Sequence, residues 1–271
     1  MALLEVKGLT KTFGGLTAIN SVDFSMEEHQ IVSVIGPNGA GKTTFFNMIS
    51  GYYPVDSGTI TFDGHSLTKL TPEKVAAYRI ARTFQNIRLF QNMLVAENIL
   101  VGFYMNLKAG IGDIILRLPR MRAEERAAYD KVMELLSYVG LAGKEGELAK
   151  NLSYGQQRRL EIARALAIAP KLLMLDEPAA GLNPRETEEM KQFILRLRDD
   201  MNTTILLIEH DMKLVMGLSD RITVLNYGEK IAEGTPEEIR GNEQVVRAYL
   251  GVEEADDEED GGDAAAGEVL A

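Results

Sequence analysis

The chain has 271 residues, 45% of them hydrophobic and 25% charged, which suits one large globular domain with a sizeable core. It contains no cysteine, which excludes disulfides and thiolate metal sites. The formal charge of −11 is misleading, because Glu253, Glu254, Asp256, Asp257, Glu258, Glu259, Asp260, Asp263 and Glu268 crowd the C-terminus; setting them aside leaves −2 for residues 1–252, and no basic body argues for nucleic acid.

The apolar N-terminus is interrupted by Glu5 and Lys7 and has no basic stretch ahead of it, so no signal peptide is expected. No apolar run approaches the roughly 18 residues of a membrane helix, so the chain is expected neither to span a membrane nor to be exported. Leu3–Leu9 reads as a strand, Gly14-Gly15 as a turn, and Ala18–Met26 as a second strand with Val22, Phe24 and Met26 on one face. Gln30–Ile35 is an apolar, β-branched run of the kind that forms a buried strand. After it comes Gly36-Pro37-Asn38-Gly39-Ala40-Gly41-Lys42-Thr43-Thr44, and Phe45–Ser50 begins a helix. Strand, glycine-rich turn and helix is the context in which G-x-x-x-x-G-K-[ST] binds phosphate. The backbone N–H groups curl around the phosphate oxygens and the helix N-terminus adds its dipole. Lys42 is placed for the β- and γ-phosphates and the Thr43 hydroxyl for Mg²⁺. The chain is therefore expected to bind a nucleoside triphosphate.

Turn residues at Pro54–Gly58 precede a strand at Thr59–Phe62 that ends at Asp63-Gly64. From Thr71 the character becomes helical. Pro72–Ile80 opens with Thr71 as N-cap and Pro72 in the first position, and Leu94–Tyr104 and Ala123–Val139 follow as helices. Between them Asn106–Arg122 mixes Lys108, Arg117, Arg120 and Arg122 with isoleucines and leucine, a mixture open to a surface helix or a loop docking on a partner, with plain surface structure the favoured reading. Residues 71–153 are expected to form a helical subdomain, set into a core made of 1–70 and 154–252. Beyond Ser153, the apolar runs Lys171–Leu175, Thr203–Ile208 and Arg221–Leu225 alternate with helical stretches, Pro184–Arg198 among them with Asn183 as N-cap. Alternation of this kind implies a parallel sheet covered on its faces. Asn226–Glu229 reads as a hairpin turn, and Pro236–Leu250 as a helix broken near Gly241. The acidic segment 253–271 is too polar and glycine-rich to order itself.

Four further places carry chemistry. Leu172–Asp176 is an apolar strand ending in Asp176 and Glu177, and the carboxyl end of a parallel strand faces the crevice where ligands bind. Asp176 suits the Mg²⁺ shell and Glu177 the polarisation of a water attacking the γ-phosphate. Gln85 follows a short strand, Arg82–Phe84, and its amide is a candidate for contact with Mg²⁺ or that water. His210 ends the strand Thr203–Ile208 and can donate to the γ-phosphate. Ser153, Gly155 and Gln156 open a helix through Leu166, a second helix start suited to an anion. One nucleotide needs one such start from a given chain, so two chains arranged head to tail would share them, an isologous pair.

These residues resemble the ATP-binding subunit of ABC transporters over 3–250. Gly36–Thr44 resembles Walker A, Leu172–Asp176 Walker B, Glu177 the catalytic glutamate, Leu152–Gln156 the signature, Gln85 the Q-loop and His210 the switch histidine. The resemblance implies an α/β fold: a RecA-like P-loop core with a mainly parallel sheet, an N-terminal antiparallel β layer and a helical subdomain. It also implies that Phe13 stacks on adenine, where the family usually has Tyr. The segments Arg82–Phe90, Asn151–Ala165, Asp176–Pro184 and Thr203–Met216 look like the ATPase of branched-chain amino acid importers. That likeness implies ATP and Mg²⁺ as cofactors, two membrane-spanning permease subunits, and a second ATPase that is either the same chain or a paralogue. It further implies a solute-binding protein reached indirectly and a place at the cytoplasmic face of the cell membrane. Tyr154 stands where most members have Gly, and Asn183 where many have Asp; both variants look like this importer subfamily. The same core motifs serve soluble ATPases of ribosomes or DNA and ATPases of lipid or export systems. The single cassette, the lack of sustained heptads and the near-neutral body speak against the first of these, and the stretch around Gln85 against the second.

Overall fold

The computed structural model describes residues 2–103 and 119–249, with the side chains of 119–123 left aside. Most of Asn106–Arg122 and all of the acidic segment 253–271 lie outside the described residues. Two sheets organise the fold. The first has four strands in the order β2-β1-β4-β5: β1 (Leu4–Phe13), β2 (Leu16–Met26), β4 (Ser57–Phe62) and β5 (His65–Ser66), all antiparallel. The second has six strands in the order β10-β9-β3-β8-β7-β6: β3 (Ile31–Ile35), β6 (Ile80–Arg82), β7 (Leu172–Asp176), β8 (Thr204–Ile208), β9 (Arg221–Asn226) and β10 (Glu229–Gly234). Only the pair β9–β10 is antiparallel in that sheet.

The continuous apolar strands follow from burial on both faces, since successive side chains point to opposite sides. Val32, Val34, Leu172, Met174, Leu206 and Ile208 pack toward the antiparallel sheet and helix α1 (Lys42–Ile49). Ile31, Leu173, Leu175, Ile205 and Leu207 pack toward the helices α3 (Val95–Phe103), α4 (Pro119–Tyr138), α5 (Tyr154–Leu166) and α6 (Pro184–Met201). The short helices α2 (Pro72–Ala77), α7 (Met212–Leu218) and α8 (Pro236–Arg240) complete the named elements.

Two sequence expectations shift. The helix from Pro72 stops at Ala77, where Arg79 takes a left-handed φ of +65° and turns the chain back toward the sheet. Ile80 and Ala81 then pair with Leu172 and Leu173, so the strand expected at Arg82–Phe84 lies two residues earlier. Thr83 adds one more ladder bond, its N–H donating to Met174 O at 2.9 Å. The break at Gly241 is present, with 243–249 helical again.

Register decides what meets at the sheet edge. Val34 lies opposite Ile208, Ile208 opposite Asp176, and Met174 opposite Arg82. Four parallel strands therefore end side by side, and the residues that follow them, Gly36, Glu209, Glu177 and Thr83, share one rim of the sheet.

Candidate functional site at the carboxyl edge of the parallel sheet

The glycine-rich turn after β3 is shaped by close approach of backbone. A Cβ on Gly36, at φ +151°, would stand 2.0 Å from Leu225 O, and one on Gly41, at φ +98°, 2.5 Å from Ala18 O. Gly41 is also the N-cap of α1 and has no side chain to cap it. The first N–H groups of that helix, at Lys42, Thr43 and Thr44, therefore lack intrahelical partners and are available to an anion. Ala40 N–H donates to Pro37 O at 3.2 Å and closes the turn between Gly36 and Gly41 that also holds Asn38 and Gly39. Lys42 Nζ donates to Gly36 O at 2.6 Å and Pro37 O at 2.9 Å, which folds its ammonium over the turn. Burial pulls the Lys42 pKa below its usual value, while the carboxylates of Glu177 and Asp176 pull the other way.

Asp176 ends β7 almost without exposure, and its Oδ2 accepts from Arg82 Nη2 at 2.8 Å. The other nitrogen, Arg82 Nη1, donates to Asn47 Oδ1 at 2.6 Å and Ser50 Oγ at 2.9 Å. One guanidinium thus ties β6, β7 and the end of α1 together. Glu177 has a left-handed φ of +48°, unusual for a residue with a Cβ, and its N–H donates to Ile208 O at 2.9 Å. Backbone held in so sparse a region is a mark of functional sites. Its Oε2 accepts from Gln85 Nε2 at 2.8 Å and lies 3.9 Å from His210 Nδ1. Lys42, Asp176, Glu177, Gln85 and His210, which come from separate parts of the sequence, thus form one charged group.

Glu209 lies buried behind it. Its Oε1 accepts from Ala179 N–H at 2.9 Å and its Oε2 from His210 N–H at 3.2 Å. Burial pushes its pKa up, against the backbone N–H groups of Ala179, His210 and Asp211 and the His210 charge. Asp211 next to it caps α7 by accepting from Lys213 and Leu214 N–H. Neither Glu209 nor Arg82 was marked as a site residue by the sequence. The signal available was a carboxylate and a guanidinium placed at the ends of apolar strands.

Ser153, Gly155 and Gln156 are elsewhere. They line a cavity of about 270 Å³ with Gly140, Arg159, Leu182, Glu186, Glu189 and Met190, none of which belongs to the charged group. Ser153 Oγ accepts from Gln156 N–H at 3.4 Å, while Gln156 Oε1 accepts from Ser153 N–H at 3.2 Å, a reciprocal cap that leaves the serine proton free. The Tyr154 ring lies against Gly181, where a Cβ would meet it at 3.2 Å. Asn183 serves as the N-cap of α6, accepting from Arg185 and Glu186 N–H. Phe13 ends β1 at the hairpin to β2, 41% exposed, edge-on to Tyr53 at 5.2 Å between ring centroids.

The donor set fits a magnesium ion held with a nucleotide and does not fit a metal held by protein alone. Among the described residues, no group of three His, Asp or Glu could hold a metal ion. Thr43 and Asp176 provide a hydroxyl and one carboxylate, and Mg²⁺ in such sites takes the remainder from phosphate and water.

The ABC transporter family model matches residues 19–180, and that of the branched-chain amino acid ATP-binding cassette transporter matches residues 229–255. The high-affinity branched-chain amino acid transport ATP-binding protein LivG of Salmonella typhimurium is 53% identical, over 92% of this chain and 98% of its own. BraF of Pseudomonas aeruginosa, with the same description, is 50% identical over the same shares. The crystal structure of the ADP conformation of an ATP-binding cassette of an ABC transporter superposes with a TM-score of 0.81 at 30% identity, over 93% of this chain and 99% of that one. With its glycine-rich turn ahead of α1, its two strand-end carboxylates and these relatives, the chain belongs to the ABC transporter ATP-binding family.

Proposed function

We propose that this chain is the ATP-hydrolysing subunit of an importer of branched-chain amino acids. The observation that carries the hydrolytic reading is the meeting of Gln85 and His210 on Glu177, beside Asp176 and Lys42. The choice of cargo rests on relatives such as LivG and BraF, whose identity to this chain extends over nearly its whole length.

Phosphoryl transfer asks little covalent chemistry of a protein, so the residues act by position and charge. The open N–H groups at Lys42, Thr43 and Thr44 hold the β- and γ-phosphates, and Lys42 exchanges two neutral carbonyls for phosphate oxygens. Phe13 lies at the hairpin where an adenine ring can rest. Thr43, Asp176 and Gln85 would hold Mg²⁺, which would supply charge neutralisation to the phosphates, while Asp176 Oδ2 stays bonded to Arg82. Glu177 orients the attacking water and takes its proton; with Oε2 held by Gln85, its Oε1 is the oxygen that faces that water. His210 donates to the γ-phosphate as charge builds there. Ser153, Gly155 and Gln156 lie in their own cavity, so they serve the nucleotide of a second ATPase, the same chain or a paralogue, placed head to tail. In this reading 71–153 acts as a helical subdomain against a core of 1–70 and 154–252.

Among the described residues no helix is long and apolar enough to cross a membrane. The proposal therefore assigns transport to two membrane-spanning permeases above the ATPase pair, with a solute-binding protein beyond them and this chain at the cytoplasmic face. The test is to purify the tagged native protein from detergent-solubilised membranes and identify what comes with it. Two multispanning chains, with or without a second ATPase, are expected; recovery with ribosomes or DNA and no membrane protein would overturn the assignment.

A further inference from the structure

The largest fully buried side chain among the described residues is a charged one, Arg158, on α5 one turn beyond the Ser153 cap. A buried guanidinium is costly to desolvate, so what it is bonded to matters. Its Nη1 donates to Phe84 O at 2.6 Å and its Nη2 to Gln85 O at 2.8 Å. Nη1 also reaches Glu161 Oε2 at 3.2 Å, and Nη2 the Tyr154 hydroxyl at 3.3 Å. Glu161, itself buried, accepts with its other oxygen from Arg88 N–H at 3.0 Å. Residues 158 and 161 stand on one face of the helix, three apart, and grasp both ends of the stretch from Phe84 to Arg88, which has neither helix nor strand.

The guanidinium suits this task. It is planar and always charged, and its five donors let it bond the two successive carbonyls through separate nitrogens while still reaching Glu161 and Tyr154, where an ammonium has only three donors on one atom. Phe84 and Gln85 have spent no backbone carbonyl on a strand partner here, so without Arg158 two part-buried acceptors would lose the partner that holds them. Glu161 neutralises the cation and, through Arg88, closes the ring. The loop is thereby fastened to the helix whose N-terminus carries Ser153, Gly155 and Gln156.

We propose that Arg158, held by Glu161, is a positioning residue that locks the Gln85 loop to α5, so that the helix start at Ser153 and the Gln85 side chain on Glu177 move as one unit. The consequence reaches beyond one site. Whatever anion engages Ser153 and Gly155 acts on the same helix that fixes the Gln85 backbone, and Gln85 Nε2 fixes Glu177. Arg158 is buried and its bonds run to protein groups, so it acts on the reaction through Gln85. This inference rests on the assignment of Gln85 and Glu177 to ATP hydrolysis.

The test is a mutant cycle on the full chain, measuring kcat and KM for ATP together with the thermal midpoint. Arg158→Lys keeps the charge beside Glu161 and loses the fork. Arg158→Met with Glu161→Leu removes the pair and fills its space, and the thermal midpoint reads what the loss of its bonds to Phe84, Gln85 and Arg88 costs the fold. Each is made in the wild-type and the Gln85→Ala background. The expected result is a kcat lower by roughly 10- to 100-fold, the scale on which misplacement of about 1 Å acts, with KM for ATP unchanged within about twofold. In the Gln85→Ala background the same changes should lower kcat by less than about twofold, because the group they position is gone. Equal losses in both backgrounds would mean a merely structural role and overturn the proposal, as would a wild-type kcat in Arg158→Lys. A wild type that binds ATP without turning it over would sink the hydrolytic assignment and this inference with it.

Discussion

Lys42 holds its ammonium against two backbone carbonyls, in a place that burial makes unfavourable for charge. Phosphate oxygens are stronger acceptors than those carbonyls, so nucleotide is where that charge belongs. Lys42→Ala should weaken ATP binding by roughly 10- to 100-fold, the ~1.5–3 kcal/mol of a hydrogen bond to a charged group, as read by titration with a fluorescent nucleotide. Unchanged affinity would take Lys42 out of the site. Glu209 makes a pH prediction of definite sign. Its folded pKa is raised above the ordinary 4.5 by burial, so between 4.5 and the raised value the native state binds more protons than the unfolded one. That term destabilises the fold as pH rises through the window. Glu209→Gln removes it, so urea unfolding should show the variant gaining on wild type as pH is raised from 4.5 toward neutrality. Parallel stability curves would contradict the assignment. Gln85, Glu177 and His210 could be singled out in the sequence because each follows the end of an apolar strand. Glu209 and Arg82 were not, because what gives them meaning, Ala179 for one and Asp176 for the other, depends on which strands lie side by side.

At the level of elements, strand β3, the turn and α1 leave backbone N–H groups open to the phosphate that we propose they bind. Gly36 is fixed by Leu225 on the neighbouring strand β9, and Gly41 by Ala18 on β2, so both sheets press on the turn. Gly36→Ala would put a methyl group 2.0 Å from a carbonyl oxygen, and the turn or β9 must move. We expect a loss of about 1–3 kcal/mol in unfolding free energy, the usual scale of overpacking, together with weaker nucleotide binding. An alanine variant with wild-type stability would show that the turn yields freely. The elements themselves were largely readable: apolar, β-branched runs gave β3, β7, β8 and β9, and Asn183 and Ser153 appear as the caps of α6 and α5. The errors fell on β6. Three residues carry too little pattern to set a boundary, and the left-handed turn at Arg79 that ends α2 has no glycine to announce it.

For the whole molecule, the two helix starts proposed as anion sites lie in different places: α1 opens at the charged edge and α5 at its own cavity. On the proposed reading such a chain would be half of two sites, with the buried Arg158 between α5 and the Gln85 loop as the connection within one chain. The head-to-tail arrangement is proposed from the same arithmetic that the sequence offers, two helix starts for one nucleotide. What the sequence withheld was the route between them, because the contacts of Arg158 join residues more than 70 positions apart. The central claim is that Glu177 does the chemistry at that shared edge while other residues do the binding. The most direct measurement compares the full chain with Glu177→Gln, reading ATP affinity and ATP turnover on the same samples. The account predicts affinity within about twofold and turnover lower by roughly 100-fold or more, the lower end of what a positioned base contributes. Turnover near the wild-type rate would contradict it.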